Sequence, residues 1–215
     1  MSEAKEKTGR LSIHTENIFP IIKKWLYSEH DIFLRELISN SVDAINKRKS
    51  LDPESEEQYK IVIKVNKKQK TLQVIDNGIG MTAAEVKKYI NQIAFSGAED
   101  FIKKYKDKQA SIIGHFGLGF YSSFMVAEKV TIDTLSYKKS SKPVHWECEG
   151  ETEYKLEDGD HKNPGTTVTI FLNKESLQYL EADKIKALIE KYSNFAPYPI
   201  EFNKEIVNQQ EALWL

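Results

Sequence analysis

Three polar side chains in the stretch around residue 40 share the spacing of one helix face. Glu36, Asn40 and Asp43 lie about one turn apart, and leucine, isoleucine and valine residues fill the opposite side. A carboxylate on such a face can activate a water molecule, and an amide oxygen can bind Mg²⁺. The same spacing also fits a solvated face on which Asp43 and Lys47 form an ordinary ion pair. The pattern predicts a helix over about residues 31–47 and allows both interpretations.

Asp76 ends a predicted strand and precedes the glycine pair Gly78 and Gly80. A carboxylate at the end of a strand can accept a hydrogen bond from an exocyclic amine such as that of adenine, and the glycines leave room for a flat ring. An ordinary Asp-Asn-Gly turn would use the same residues. The tripeptide alone is therefore only a weak indication of a purine site.

Gly114, Gly117 and Gly119 lead into a predicted short apolar helix at about residues 121–126. Backbone N–H groups of such a loop can approach an anion, and the start of the helix adds partial positive charge. The loop is not a dinucleotide-binding fingerprint, because no βαβ unit surrounds it, and it lacks the Lys-Ser or Lys-Thr pair of a P-loop. We interpret it as a phosphate-binding loop, with a flexible connector as the alternative.

The composition excludes several classes of partner. The chain has 215 residues, a formal net charge of −1 and one cysteine. The near-neutral charge offers no electrostatic attraction for nucleic acid or anionic lipid, and no apolar run is long enough to span a membrane. A single cysteine cannot form an intrachain disulfide, which fits a reducing compartment. We therefore expect a cytoplasmic protein with no nucleic-acid or membrane partner.

Helices are predicted mainly in one block of the chain and strands mainly in another. This order predicts an α+β fold: a two-layer sandwich in which a mixed, mostly antiparallel sheet carries helices on one face. A doubly wound Rossmann fold would instead alternate strand and helix throughout. The predicted strands lie at about residues 60–66, 72–76, 129–136, 144–149, 152–156, 166–172 and 200–206.

The three glycine and acid motifs together resemble a known family. Residues 36–44, 76–81 and 114–120 resemble, in order and spacing, the nucleotide-binding boxes of the GHKL ATPases, a superfamily that includes gyrase, heat-shock-90 chaperones, histidine kinases and MutL. Residues 32–40 and 116–122 are most similar to the N-terminal domain of the heat-shock-90 chaperone family, bacterial HtpG type. The resemblance covers almost the whole chain and implies the GHKL, or Bergerat, fold.

The resemblance implies ATP or ADP with Mg²⁺ as ligands, and it implies a role for each matched residue. Glu36 would be the general base of hydrolysis and Asn40 the Mg²⁺ ligand. Asp76 would anchor the adenine, supported through ordered water by Thr166. The other expected nucleotide-binding residues are Asp43, Lys47, Gly80, Met81, Gly114, Gly117, Gly119 and Phe120. For Asp43 and Lys47, a plain ion pair on the helix remains an equal alternative.

Glycines at both ends of the segment at about residues 92–120, Gly97 on one side and Gly114, Gly117 and Gly119 on the other, permit hinge motion and predict a mobile lid over the nucleotide, with a rigid helical wall as the alternative. Phe95 occupies the position of a lysine that many family members carry there, so a phosphate contact from that amine would be missing. Residues 1–207 would form the nucleotide-binding domain and residues 208–215 the start of the linker or middle domain of a longer protein. The middle domain would supply an arginine to the γ-phosphate, so the isolated domain would hydrolyse ATP slowly.

The function that this resemblance implies is that of an ATP-dependent, stress-response chaperone. Slow hydrolysis would drive lid closure and the clamp motion of a homodimer that acts on unfolded or partly folded client proteins. A nucleotide sensor without hydrolysis is a second hypothesis, and the presence of Glu36 argues against it. A DNA-handling GHKL ATPase is a third, and the near-neutral charge argues against it.

Overall fold

The computed structural model describes residues 30–91, 119–151 and 153–210. The predictions for Gly114, Gly117, Phe95 and most of the expected lid lie outside the described residues. Within the described ranges, no helix is both long enough and apolar enough to cross a membrane.

One sheet of eight strands organises the described part of the chain. In chain order its strands are β1 (Ile61–Asn66), β2 (Thr71–Asp76), β3 (Ala127–Leu135), β4 (Val144–Cys148), β5 (Lys155–Asp158), β6 (Gly165–Leu172), β7 (Ile200–Phe202) and β8 (Glu205–Ile206). Their spatial order is β5-β4-β3-β6-β2-β1-β7-β8. Only β1 and β7 pair in parallel within this sheet of described residues, and its other neighbouring pairs are antiparallel. The predicted mixed, mostly antiparallel sheet is confirmed.

The helices of the described residues are α1 (Ile32–Leu51), α2 (Ala83–Tyr89) and α3 (Ala182–Ser193), with two 3₁₀ helices at Phe120–Met125 and Lys174–Leu180. The longest of them, α1, packs against β1, β2, α3 and the first 3₁₀ helix. Helices and a sheet of this kind confirm the predicted α+β class.

Strand alternation and register place the apolar side chains on one face of the sheet. Ile63 lies opposite Val74, and Val130 lies opposite Ile170, and all four side chains are buried. Each such burial contributes about 1.5–3 kcal/mol, and α1 packs against β1 and β2 of this sheet. The buried apolar residues that α1 brings to the core are Phe33, Leu34, Leu37, Ile38, Val42 and Ile45.

The short apolar helix predicted at about residues 121–126 is a 3₁₀ helix, Phe120–Met125. The Ser122 hydroxyl donates to the Gly119 carbonyl at 2.5 Å, and the Ser123 hydroxyl donates to the Phe120 carbonyl at 2.7 Å. Such bonds to the carbonyl three residues back compete with the α-helical pattern and favour the tighter turn.

Other predicted bounds also shift. α1 continues to Leu51, past its predicted end at residue 47. The strand predicted at residues 200–206 is a hairpin of β7 and β8, because Asn203 and Lys204 adopt positive φ angles of 53° and 68°. Two such residues in succession form the tight turn that suits twisted antiparallel strands.

The helix α2 begins at the capping box that its sequence predicts. The Glu85 N–H donates to the Thr82 hydroxyl at 3.3 Å, and the Thr82 N–H donates to the Glu85 carboxylate at 2.8 Å. The two reciprocal bonds satisfy backbone donors that have no partner inside the helix. They fix the chain directly after Met81, at the edge of the site described next.

Candidate nucleotide-binding site

The polar residues of α1 differ in their exposure to solvent. Glu36 is half-buried and Asn40 is exposed, whereas Asp43 is only 5% exposed. Burial lowers the pKa of Lys47, and the nearby charge of Asp43 opposes that effect. This polar side of α1 is therefore not a uniformly solvated face, because Asp43 is buried and Lys47 is half-buried.

Glu36 is held from two sides. Arg35 donates to Glu36 Oε1 from Nη2 at 2.6 Å and from Nε at 3.2 Å. On the other side lies the backbone of Gly119, where an added Cβ would be only 2.5 Å from Glu36 Oε2. The end of the predicted phosphate loop is thus in direct contact with the predicted general base.

An aromatic cluster anchors the residues that follow Gly119. Phe120 packs edge-on against Trp146 of β4, with ring centroids 5.7 Å apart. The Trp146 Nε1–H donates to Asn91 Oδ1 at 2.9 Å, and the Tyr121 hydroxyl donates to the Ile90 carbonyl. The start of the 3₁₀ helix is therefore tied both to the sheet and to the end of α2.

Asp76 belongs to a polar row that crosses three adjacent strands. Asp76 of β2 lies opposite Thr166 of β6, and Thr166 lies opposite Thr134 of β3, so the three side chains share one face of the sheet. Asp76 and Thr166 are 7% and 8% exposed, and Thr134 is fully buried. A polar row inside an otherwise apolar layer must satisfy its hydrogen bonds internally or with a ligand.

The Asp76 carboxylate accepts hydrogen bonds from three protein groups. The Gly78 N–H donates to Oδ1 at 2.9 Å, and the Ser41 hydroxyl and the Thr166 N–H also donate to this side chain. Burial nevertheless raises the pKa of Asp76 to about 7, against the lowering effect of these bonds. A carboxylate has about four lone-pair sites, so these bonds leave acceptor capacity for a ligand.

The loop after Asp76 is wedged between α1 and β3. An added Cβ at Gly78 would lie 2.6 Å from the Ala44 carbonyl carbon, and the Ile79 N–H donates to the Ala44 carbonyl at 3.0 Å. Gly80 has a φ of +59°, and an added Cβ there would lie 1.8 Å from the Leu135 carbonyl oxygen. Both glycines are required because backbone meets backbone at these points.

The structure thus brings together most of the predicted residues that it describes. Asp76, Gly80, Met81 and Thr166 form one end of the site, since the Met81 N–H donates to the Thr134 hydroxyl at 3.0 Å. Glu36 and Gly119 meet at the other end. Ser41 follows Asn40 directly in α1 and bonds to Asp76, so this helix links the two ends.

Ser41 and Thr134 were not among the residues predicted from the sequence. Ser41 sits among apolar helix residues, and its only signal is that it follows Asn40. Thr134 looks like any strand threonine, which β-sheets favour for its branched side chain. Only the strand register places Thr134 beside Thr166.

The described side chains could supply Mg²⁺ with only one of its ligands, so water and phosphate oxygens would have to supply the others. Within residues 30–91, 119–151 and 153–210, no cluster of three or more His, Cys, Asp or Glu side chains is arranged to hold a metal ion. Asn40 is exposed at the accessible side of α1. Mg²⁺ usually keeps several waters and takes phosphate oxygens with one or two protein ligands, so a single amide oxygen is compatible with it.

Comparison with protein families agrees with this geometry. Residues 27–184 match the family of histidine kinase-, DNA gyrase B- and HSP90-like ATPases. This range includes α1, the Asp76 row and Gly119, and the chain belongs to that ATPase family.

The individual relatives are all bacterial chaperone proteins named HtpG. The chain is 50% identical over 200 residues to the chaperone protein HtpG of Bacteroides fragilis, covering 92% of this chain and 29% of the relative. It is 47% identical over 204 residues to HtpG of Porphyromonas gingivalis, covering 93% and 30%. HtpG of Buchnera aphidicola from Acyrthosiphon pisum is 40% identical over 234 residues, covering 100% and 38%. The chain therefore spans roughly a third of the length of these relatives, and the resemblance to heat-shock-90 chaperones is confirmed.

Proposed function

We propose that this chain is the nucleotide-binding domain of an ATP-dependent chaperone and that its site binds and slowly hydrolyses ATP. The observation that carries the proposal is the bond between Ser41 and the buried Asp76. Through it, the helix that bears Glu36 and Asn40 is fixed to the acceptor row of the sheet. One ligand with a hydrogen-bond donor at one end and phosphates at the other would engage both.

In this proposal the adenine amine donates to Asp76, either alone or with support from Thr166 through water. The Gly78 N–H and the Ser41 hydroxyl orient the carboxylate before the ligand arrives. Such preorganisation lowers the cost of ordering groups upon binding. Gly80 and Met81 would line the same end, and Asp43 and Lys47 would lie near its mouth.

The phosphates would extend toward Gly119 and Phe120, with Gly114 and Gly117 completing the expected loop. Glu36 would then accept the proton of a water molecule that attacks the terminal phosphate. Arg35 must release Glu36 Oε1 if this oxygen is to take the proton, because two guanidinium N–H groups donate to it. Mg²⁺, when bound by Asn40 and phosphate oxygens, would stabilise the charge that develops on the phosphates.

The remaining proposals concern the longer protein and rest on the family resemblance and on the chaperone relatives. They are a lid over about residues 92–120, a domain end near residue 207, and clamp motion of a homodimer driven by slow hydrolysis. Client proteins that are unfolded or partly folded would be its partners, in the cytoplasm. Hydrolysis by this chain alone would be slow if an arginine from a following domain is needed.

Calorimetric titration of the 215-residue chain with ADP and ATP, with and without Mg²⁺, tests the proposal. We expect both nucleotides to bind, and we expect Asp76→Asn to weaken ADP by about 2–3 kcal/mol, because an amide can present a donor to the adenine amine. Near-wild-type ADP affinity in a folded Asp76→Asn variant would contradict the proposed site.

Phosphate release separates this function from the two other hypotheses. A sensor without hydrolysis would bind ATP but release no phosphate above background, even in the longer protein. A DNA-handling ATPase would release phosphate faster when DNA is added. We expect slow release that DNA leaves unchanged, in keeping with the net charge of −1.

A further inference from the structure

The fully buried Thr134 hydroxyl makes three hydrogen bonds. It donates to the Gly165 carbonyl at 2.9 Å, it accepts from the Met81 N–H at 3.0 Å, and it lies 3.0 Å from the Thr166 hydroxyl oxygen. A hydroxyl has one proton and two lone pairs, so these three contacts use its whole capacity.

The proton of each hydroxyl can be assigned from its partners. A carbonyl only accepts and a backbone N–H only donates, so the Thr134 proton points to Gly165 and one Thr134 lone pair faces Met81. The other lone pair is left for Thr166, which must therefore donate its own proton to Thr134. The reverse arrangement would place lone pairs of Thr134 and the Gly165 carbonyl face to face at 2.9 Å.

This assignment leaves Thr166 with acceptor capacity only. Its proton is used by Thr134, and among the described residues its hydroxyl oxygen makes no other hydrogen bond. Thr166 stands directly across the register from Asp76, and both side chains keep a small exposed area. The two neighbouring groups at this end of the site thus both present acceptors.

We propose that Thr134 is a positioning residue for base specificity: by taking the Thr166 proton, it makes Thr166 an acceptor beside Asp76 and so favours a base with an amine at this edge. The inference rests on the proposed nucleotide site. It selects adenine, whose C6 amine donates, over hypoxanthine or guanine, whose C6 carbonyl accepts. A carbonyl there would face two acceptors and no donor.

Replacing Thr134 by valine tests the inference, because valine keeps the branched shape and removes the hydroxyl. The Thr166 proton is then free to turn toward the base and to donate to a C6 carbonyl. In calorimetry of the 215-residue chain at pH 8.5, where Asp76 is ionised, we expect the ratio of inosine diphosphate to ADP dissociation constants to fall by about tenfold, the value of one hydrogen bond. Thr134→Ser should keep the wild-type ratio.

Thr131→Val is the matched control. Thr131 is a buried threonine of the same strand, but it lies on the opposite face of the sheet, across from Thr169. It should leave the ratio unchanged. A fall of the same size in Thr131→Val and Thr134→Val would mean that loosening β3, and not the proton of Thr166, sets the ratio, and it would overturn the inference.

A second variant keeps the test open if Thr134→Val does not fold. Thr166→Val leaves the bonds of Thr134 to Met81 and Gly165 in place and removes only the acceptor. It should weaken ADP several-fold while leaving inosine diphosphate unchanged, and an unchanged ratio in this variant would overturn the inference. Wild-type chain that binds no ADP would instead refute the proposed function itself, so the two failures are distinguishable.

Discussion

Different structural elements form the two ends of the candidate site. The base end is a row of side chains on three paired strands, where Asp76, Thr134 and Thr166 bond to backbone groups or to each other. The phosphate end is the accessible side of α1 and the end of a glycine loop, where Glu36 rests against Arg35 and Gly119. The first end is buried and bonded internally, and the second is partly exposed to solvent.

The difference suits the roles proposed for the two ends. Recognition of a flat base needs acceptors that hold one position, and a buried network with satisfied bonds provides it. Hydrolysis needs a carboxylate that changes partners, and a partly exposed ion pair is worth only about 0–1 kcal/mol. The side chain of Glu36 is 22% exposed and that of Arg35 is 43% exposed, so this pair can break at little cost.

The largest expected contrast comes from adding one methyl group at each end. Gly80→Ala would drive a Cβ into the Leu135 carbonyl at a positive φ, and we expect it to lower the free energy of unfolding by roughly 3 kcal/mol or more. Gly119→Ala meets only the carboxylate end of Glu36, which can move, so we expect about 1 kcal/mol or less. Urea denaturation of both variants measures this, and equal losses would erase the contrast between the two ends.

Removal of the proposed general base should separate binding from turnover. Glu36→Ala should keep ATP affinity within a few-fold, because in the proposed site Glu36 acts on the attacking water and not on the adenine. It should lower turnover in the longer protein by roughly 10²-fold. Calorimetry and steady-state phosphate release measure the two effects. Undiminished turnover would assign the base role to another residue.

The pH dependence of ADP binding probes the base end. The pKa of Asp76 is raised from 3.8 to about 7, so the carboxylate becomes ionised as the pH rises through 7. We expect ADP affinity to fall about tenfold from pH 8 to pH 6, because the protonated form loses its charge-assisted acceptor. The phosphates of ADP titrate in the same range, so Asp76→Asn, which has no carboxylate, supplies the baseline.

The stability of the free chain should change with pH in the opposite direction. A raised carboxyl pKa means that the folded state holds the proton more tightly than the unfolded state does. The contribution of Asp76 to stability is therefore full below about pH 4 and declines as the pH rises toward 7. Denaturation of wild type and Asp76→Asn across this range measures it. A wild-type curve that runs parallel to that of Asp76→Asn would contradict the burial of this charge.

The smallest effect is expected from the ion pair at the phosphate end. Arg35→Gln should raise turnover in the longer protein by a few-fold at most, because it frees the carboxylate of Glu36 from a contact that stabilises its charge. ADP affinity should not change. If turnover drops instead, Arg35 supports the reaction and does not restrain the base.

Features set by local sequence were predictable. The periodicity of α1, the capping box at Thr82 and Glu85, and Asp76 at a strand end each depend on a few neighbouring residues. The roles of Asn40 and Lys47 in binding stay predictions.

Features set by register or by side-chain competition were not predictable. Thr134 joins the site only because β3 pairs with β6, and no local pattern marks it. The 3₁₀ geometry after Gly119 depends on hydroxyls that bond back to backbone carbonyls, a choice that an apolar pattern does not reveal. The pairing of Arg35 with Glu36 likewise joins adjacent residues whose side chains periodicity places on different parts of the helix.

The contact between α1 and the loop after Asp76 contains a backbone amide whose hydrogen exchange can report local opening of the site. The Ile79 amide donates to the Ala44 carbonyl, and Gly78 lies against the Ala44 backbone with no space for even a methyl group. Solvent deuterons can reach that amide only when helix and loop separate. In molecules that stay folded, the hydrogen-exchange rate of the Ile79 amide therefore reports how often α1 and the loop after Asp76 separate.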